Sequence, residues 1–419
     1  LLAAVSVLSL GARIAWLGQP CRVPCRSADD HVLIFDETYY VNAARVIAGL
    51  RPPAGAHYAS APGGDDPNAE HPQLAKLLIA GSIELFGDGP FAWRIASVVF
   101  GSLALLGMFA LVCAAGGGSG LALGACLLMA LDNLFLVQGR IATLDIYVLA
   151  AMVWSVALYL RGRTLLAGVV VAIGACFKLV GADAILVLAL LEMLRRSAVR
   201  SRDARGALQR IATCAVTAAG VFLALLAAMD AIAPPYDYTT GRPVGGGPFG
   251  HIAHMLSFGA SQTSPGGPRG IASYPWQWFG DYKPITYLNI NPARPSPGLY
   301  HIHPAVHFLG MISPPILALA LPALVLALLS LRRPATRQTG PLAALALAWV
   351  LGTFVPFELL SVIWSRTSYL YYMLIVMPGI YVAVAMLLGR FRRRRRLVLA
   401  WGVAVLAAAV IMYPLTPIP

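Results

Sequence analysis

Apolar runs long enough to cross a bilayer recur along the whole chain, separated by short polar or basic stretches. A membrane-spanning helix needs about twenty such residues. The pattern predicts about eleven spans, at 1–19, 92–114, 119–137, 141–160, 164–181, 182–194, 211–233, 305–331, 341–362, 368–389 and 397–415. Lys178 and Asp183 interrupt the fifth and sixth. With the N-terminus inside, the C-terminus and two large loops, 20–91 and 234–304, fall outside. The expectation is an all-α polytopic membrane protein, a single transmembrane domain over 1–419. Because the chain opens on Leu1 inside an apolar run, the natural start is expected upstream.

Inside the first outer loop the period changes. Over 37–50, Tyr40, Ala44, Ile47 and Leu50 share one helical face. A second helix starts at Pro72, a favoured first-turn residue, and continues through Leu74, Leu77, Leu78 and Leu85. Both read as short helices lying in the membrane interface. Between them, 51–70 is rich in Pro, Gly and Asp and reads as loop. In the second outer loop the Pro and Gly content argues against a sheet-rich inserted domain. It leaves turns and one short helix near 251–259, with the aromatic stretch Ser273-Tyr274-Pro275-Trp276-Gln277-Trp278 as an ordered anchor. No internal repeat is evident, which argues against a transporter.

Composition agrees with the pattern. The 419 residues are 58% hydrophobic and 12% charged, against about a quarter charged in soluble domains. The net charge of +13 lies in clusters at Arg161 and Arg163, 195–210, 332–337 and 390–396. They alternate with apolar runs as cytoplasmic loops do, and this excludes nucleic acid as the partner in favour of anionic membrane lipid. The six cysteines carry no metal-ligand spacing. Cys113, Cys126, Cys176 and Cys214 fall in or beside apolar spans, whereas Cys21 and Cys25 lie in the first outer loop, where a disulfide is an open option.

Charged and aromatic residues near the outer ends of spans are the chemical candidates. Asp36-Glu37 opens the first interfacial helix, where acids cap free amides and complement the dipole. Two adjacent carboxylates there diverge by about 100°, so one base and one positioning group is the functional alternative. His71 and Lys76 flank the start of the second interfacial helix, as a cap and a snorkelling side chain or as phosphate donors. Arg94 is an interface anchor or a phosphate grip. Asp132-Asn133, Gln138-Gly139-Arg140 and Asp145 bracket the third and fourth spans, at a depth where charges usually face a cavity or one another. Lys178 and Asp183 invite the same reading. Arg366, Tyr369, Tyr371 and Tyr372 form an aromatic belt or part of a site. Trp276 and Trp278 are interface anchors or a sugar-facing platform. His301 and His303 lack metal-ligand helical spacing, and no metal site is expected.

Taken in order, Phe35-Asp36-Glu37-x-Tyr39-Tyr40, His71-Pro72-x-Leu74-x-Lys76, Ala92-Trp93-Arg94 and Phe100-Gly101 resemble the dolichyl-phosphate-mannose protein mannosyltransferase family. So do Asp132-Asn133, Gln138-Gly139-Arg140-x-x-x-x-Asp145, Phe177-Lys178-x-x-Gly181, the Ser273 to Trp278 stretch, and Tyr371-Tyr372 with Pro378. The resemblance implies a GT-C type membrane glycosyltransferase without the β-trefoil domain that eukaryotic members carry in the second outer loop. It implies Asp36 as catalytic base, Glu37 as support for the acceptor site, and an arginine needed for activity at Arg94. Lys76, Arg140, Asp145 and Lys178 carry over less directly, and Phe177-Lys178-Leu179 departs from the family's more usual Lys-Trp order.

The reaction so implied moves mannose from polyprenyl-phosphate-mannose to a Ser or Thr hydroxyl of a secreted or membrane polypeptide, with inversion and without a cofactor. The donor phosphate would lie among Arg94, Lys76, Arg140 and Lys178. The substrate site would draw on His71, Asp145, Tyr40, Trp276, Trp278, Arg366 and Tyr372. The alternatives are transfer of another lipid-phosphate sugar to lipid A or glycan, and a lipid-linked sugar transporter. Missing insertion and high Ala, Arg, Gly and Pro usage point to a bacterial plasma membrane.

Overall fold

The computed structural model describes residues 1–22, 26–199, 203–290, 299–300, 306–332, 339–391 and 393–415. In chain order the helices and strands begin with α1 (Leu2–Ile14), β1 (Cys21–Arg22), α2 (Glu37–Ile47), α3 (Leu74–Phe86), α4 (Pro90–Ala114) and α5 (Ser119–Leu131). Next come α6 (Asn133–Gln138), α7 (Asp145–Leu160), α8 (Thr164–Phe177), α9 (Asp183–Val199) and α10 (Ala204–Ile232). The second outer loop holds β2 (Tyr236–Asp237), β3 (Arg242–Pro243), α11 (Gly247–Ser261), β4 (Ile285–Ile290) and β5 (Leu299–Tyr300). The chain then runs through β6 (Val306–Gly310), α12 (Pro314–Leu317), α13 (Ala320–Arg332), α14 (Thr339–Trp364), α15 (Met373–Arg390) and α16 (Arg395–Ile411).

This is a multi-pass membrane protein. Helices α4, α10, α14, the α12–α13 pair from Pro314 to Arg332, and the Leu370–Arg390 segment that includes α15 are long and apolar enough to cross a bilayer. Helices α1, α5, α7 and α8 are shorter and apolar. With α9 and α16 in addition, a helix occupies every position where a span was expected, while the count of eleven stays an expectation. The bundle is centred on α7, nearly all of whose side chains are buried against α4 and α8. Small residues let the helices close up. A Cβ at Gly352 of α14 would lie 2.8 Å from the Val187 backbone nitrogen of α9, a backbone approach that only glycine allows. Val216, Leu328, Leu329, Val403, Leu406 and Val410 remain exposed on α10, α13 and α16. Apolar side chains turned outward are the surface that lipid covers.

Three expectations need correcting. The eighth span was placed from 305, but the chain there is the strand β6, which pairs antiparallel with β4. Two smaller antiparallel ribbons, β1 with β5 and β2 with β3, also decorate the outer loops. The fold as a whole is mostly helical, as the pattern predicted, with these ribbons as small additions. Pro and Gly exclude long central strands, but they leave short two-stranded ribbons possible. The third span is divided: Asp132 is extended and its side chain caps α6 by accepting from the Leu134 amide. The fifth likewise breaks at Lys178, extended between α8 and a 3-10 turn.

The helix ends sort into two groups. Under the two loops the start of α4 meets the start of α2 through Arg94–Glu37, and the starts of α7 and α15 meet the ends of α8 and α14 through Asp145–Lys178 and Tyr372–Phe357. Arg161, Arg210 and Arg390 sit at the other end, where Arg210 pairs with Glu192 and Arg390 donates to Ser330.

Candidate active site

The site starts with a strained residue. Phe35 has φ 55°, a left-handed conformation that is rare for a bulky side chain. Its ring stacks on Tyr287 of β4, 4.2 Å between centroids at 17°, and meets Tyr371 edge-on at 5.6 Å. Tyr287 is held in turn, because its hydroxyl accepts from Gln138 Nε2 at 2.9 Å. Such strain costs about 1–3 kcal/mol and persists only where the surroundings enforce it. Here the enforced turn delivers Asp36 and Glu37 to different places.

Glu37 points into the bundle and is fully buried. Its Oε1 accepts from Arg94 Nε and the Ala142 amide, both at 2.8 Å. Its Oε2 accepts from Arg94 Nη2 at 2.7 Å and the Ile34 amide at 2.8 Å. The remaining N–H groups of Arg94 donate to the carbonyls of Leu17, Gln19 and Val32. Every donor of the guanidinium is thus in use.

Asp36 occupies the cap position of α2, yet its side chain makes no capping bond. Among the described residues no hydrogen bond to its carboxylate is seen. The group is half-buried and lies within electrostatic reach of Lys178 and Asp145. Burial pushes its carboxyl up to about 7, the Lys178 ammonium pulls it down, and Asp145 adds to the rise. Lys178 Nζ donates to both Asp145 oxygens, at 2.9 and 3.1 Å, and sits 4.9 Å from the Tyr372 ring centre and 5.6 Å from that of Tyr371. Cation–π contact of this kind holds the ammonium in a half-enclosed place. Tyr40 is buried nearby with its ring 6.2 Å from His71, and Tyr40, Tyr287 and Tyr371 all feel the Asp36 charge. Burial lowers the His71 imidazole well below its ordinary value, and the charges of Lys178, Lys76 and Arg366 lower it further. His71 is therefore a neutral donor or acceptor at pH 7.

No family model matches the chain. Over 127 residues it is 32% identical to the polyprenol-phosphate-mannose–protein mannosyltransferase of Corynebacterium glutamicum, a match spanning 29% of this chain and 24% of that relative. The S. cerevisiae protein O-mannosyltransferase Pmt1–Pmt2 complex bound to the sugar donor superposes with TM-score 0.67 at 12% identity, covering 98% of this chain and 88% of the other. ArnT from Cupriavidus metallidurans bound to undecaprenyl phosphate gives 0.59 at 16%, covering 98% and 63%. The Archaeoglobus fulgidus oligosaccharyltransferase in its apo form also gives 0.59, at 13%, covering 99% and 55%. The chain has the GT-C fold of membrane glycosyltransferases. The resemblance to protein mannosyltransferases read from the motifs holds in both the relative and the first of these structures.

Within this GT-C framework the expected cationic cradle is much reduced. Arg94 was expected to grip phosphate, but its donors all serve Glu37 and backbone carbonyls. Lys76 is fully buried and donates to Asp66 Oδ2 and the Asn68 carbonyl, both at 2.5 Å, and to the His71 carbonyl at 2.9 Å. It organises the loop before α3 instead. Arg140 donates to the carbonyls of Ala12 and Ala15 and to the Tyr413 hydroxyl, bracing α1. Glu37, expected beside the acceptor, has both oxygens engaged. Trp278 is neither anchor nor platform: it is fully buried, donates to Ser273 Oγ at 3.0 Å, and packs on Phe354, Phe357 and Tyr372. Lys178 alone among the expected phosphate binders faces Asp36. Arg366 donates to the Gly259 carbonyl and lies within electrostatic reach of His71 and Tyr369. Trp276 stays exposed, its ring nearly parallel to Tyr274 beside a cavity of about 240 Å³ that Arg366 also lines.

Tyr287 and Asp66 were not singled out from sequence. The short alternation Ile285-Thr286-Tyr287 was the available signal for the first, and nothing marked the second within its turn-rich segment. Cys21 is disulfide-bonded. Cys25, His301 and His303 lie outside the described residues. Among the described residues no group of three or more His, Cys, Asp or Glu side chains is placed to hold a metal ion.

Proposed function

We propose that the protein transfers mannose from polyprenyl-phosphate-mannose to Ser or Thr hydroxyls of polypeptides at the outer face of a bacterial plasma membrane. One observation carries the reading: Asp36 is a half-buried carboxylate that accepts no hydrogen bond among the described residues, delivered by a strained turn beside a Lys178–Asp145 pair. A carboxylate free of capping duty and raised toward neutral pH is suited to take a proton. In a single displacement the acceptor oxygen attacks the anomeric carbon as its proton passes to Asp36. The bond from that carbon to the phosphate oxygen breaks, and polyprenyl phosphate leaves with the electron pair. Lys178 is the cation placed to meet the growing phosphate charge, while Tyr40, His71, Tyr371 and Tyr372 shape the surroundings of the sugar. No step needs a metal or cofactor. Basic helix ends opposite the site support its outward orientation.

Asp36→Asn keeps the shape and removes the base. Single-turnover transfer from polyprenyl-phosphate-mannose to a Ser/Thr-rich peptide should fall at least ~10³-fold while the protein elutes and melts as before. Unchanged transfer by that variant would refute the reading. The superposition on ArnT favours one second reading, transfer of another lipid-phosphate sugar to lipid A or glycan. The same Asp36 and Lys178 would serve it, and labelled product on a lipid or glycan acceptor, with none on peptide, would select it.

A further inference from the structure

Where the break between α5 and α6 meets the second outer loop, a set of buried oxygen atoms takes part in no well-formed hydrogen bond among the described residues. Asp132 accepts the Leu134 amide through Oδ1 at 2.8 Å, leaving Oδ2 without a partner. Asp281 accepts the Ile312 amide through Oδ1 at 3.1 Å, and its Oδ2 is likewise unpartnered. Asn133 donates through Nδ2 to the carbonyls of Leu309 and Met311 at 2.7 and 2.9 Å. Those two acceptors fix the orientation of its amide, so the unpaired atom is the oxygen. Ser313 Oγ and the Tyr381 hydroxyl complete the set. None of these residues is more than 8% exposed.

They share one neighbourhood. The Asp132 carboxylate lies at the margin of hydrogen-bonding range from the Ser313 and Phe135 amides and the Tyr381 hydroxyl, without a well-formed bond at Oδ2, and within electrostatic reach of Asp281. Neither Asp132 nor Asp281 joins an ion pair among the described residues. Two buried carboxylates without a counter-charge are strongly disfavoured, and such groups are ordinarily paired or bound to a cation.

We propose that Asp132, Asn133, Asp281, Ser313 and Tyr381 form a binding site for a hard divalent cation of the calcium type. The donor set is all oxygen, with carboxylate, amide and hydroxyl members, which suits neither zinc nor copper. Calcium accepts an irregular oxygen shell completed by water, whereas magnesium demands a regular octahedron. The site is distinct from Asp36. Its members come from the α5–α6 break, the second outer loop, the turn before α12, and α15. A bound cation would staple that loop, which also carries Tyr287, onto the bundle.

The test uses the purified full chain in detergent, loaded with Ca²⁺ and then freed of loosely held metal at pH 8. About one calcium per chain should remain by elemental analysis, and chelation by EGTA should lower the melting temperature by about 5 °C. Ca²⁺ should restore it, and Mg²⁺ should not. Asp132→Asn also disturbs the cap of α6, so Asp281→Asn and Ser313→Ala are the informative variants. Each should weaken calcium retention at least ~10-fold in a chain that still folds. Metal-free protein whose melting ignores EGTA, or an Asp281→Asn variant that melts higher than the parent, would overturn the proposal in favour of protonated carboxyls bridged by water.

Discussion

Glu37 and Asp36 are neighbours in the chain, yet they belong to two clusters that differ in one respect. Around Glu37, Arg94 and the Ala142 and Ile34 amides leave no polar atom without a partner. Around Asp36, Lys178 and Asp145 satisfy each other, while the Asp36 carboxylate is left with charge nearby and no donor among the described residues. Each cluster sets carboxylate against a single cation. What separates scaffold from chemistry is whether the hydrogen-bonding capacity is already committed, and a helix start is what sends two adjacent acids in divergent directions.

The contrast can be broken from either side. Asp36→Asn should cost the most in rate and little in stability, as set out above. Glu37→Ala or Arg94→Ala should do the reverse and cost about 3–5 kcal/mol, since either leaves a buried charge alone. Their purified yield and melting should collapse before any rate can be assigned. If Arg94→Ala folded normally and lost only donor affinity, Arg94 would be a phosphate ligand and the division between the clusters would fail. Next in size is Lys178→Met, which should lower kcat by roughly 10²-fold with peptide KM little changed, because it removes charge stabilisation. The smallest change sharpens the comparison. Tyr287→Leu removes the stack that holds Phe35 and should reduce kcat about 10-fold, with Tyr287→Phe recovering most of the loss. Equal defects in both Tyr287 variants would assign the effect to the hydroxyl and Gln138 instead.

The positions of the helices were legible because apolar length and basic breaks are local signals. The divergence of Asp36 and Glu37 was legible too, since helix geometry sets it. Which cations were free was not. Lys76 is committed to Asp66 and Asn68 from a turn-rich stretch, and Arg94 to carbonyls of 17, 19 and 32. Backbone carbonyls leave no mark in a sequence, so a saturated arginine reads like a free one. The β4–β6 ribbon was missed for a related reason. Its pairing joins Ile285 to Gly310 across a stretch rich in Pro, and Gly310 is required there because a Cβ would lie 2.4 Å from the Tyr287 ring. Trp278 looked like an interface anchor by composition, whereas its fate was decided by the aromatic side chains of α14.

The pH dependence of kcat tests the central claim most directly. A base must be deprotonated to act, and the Asp36 carboxyl is pushed up to about 7. Transfer by the wild type should therefore rise tenfold per pH unit below that value and level off above it. A rate that stays flat from about pH 5 to pH 8 would contradict Asp36 as the group that takes the proton.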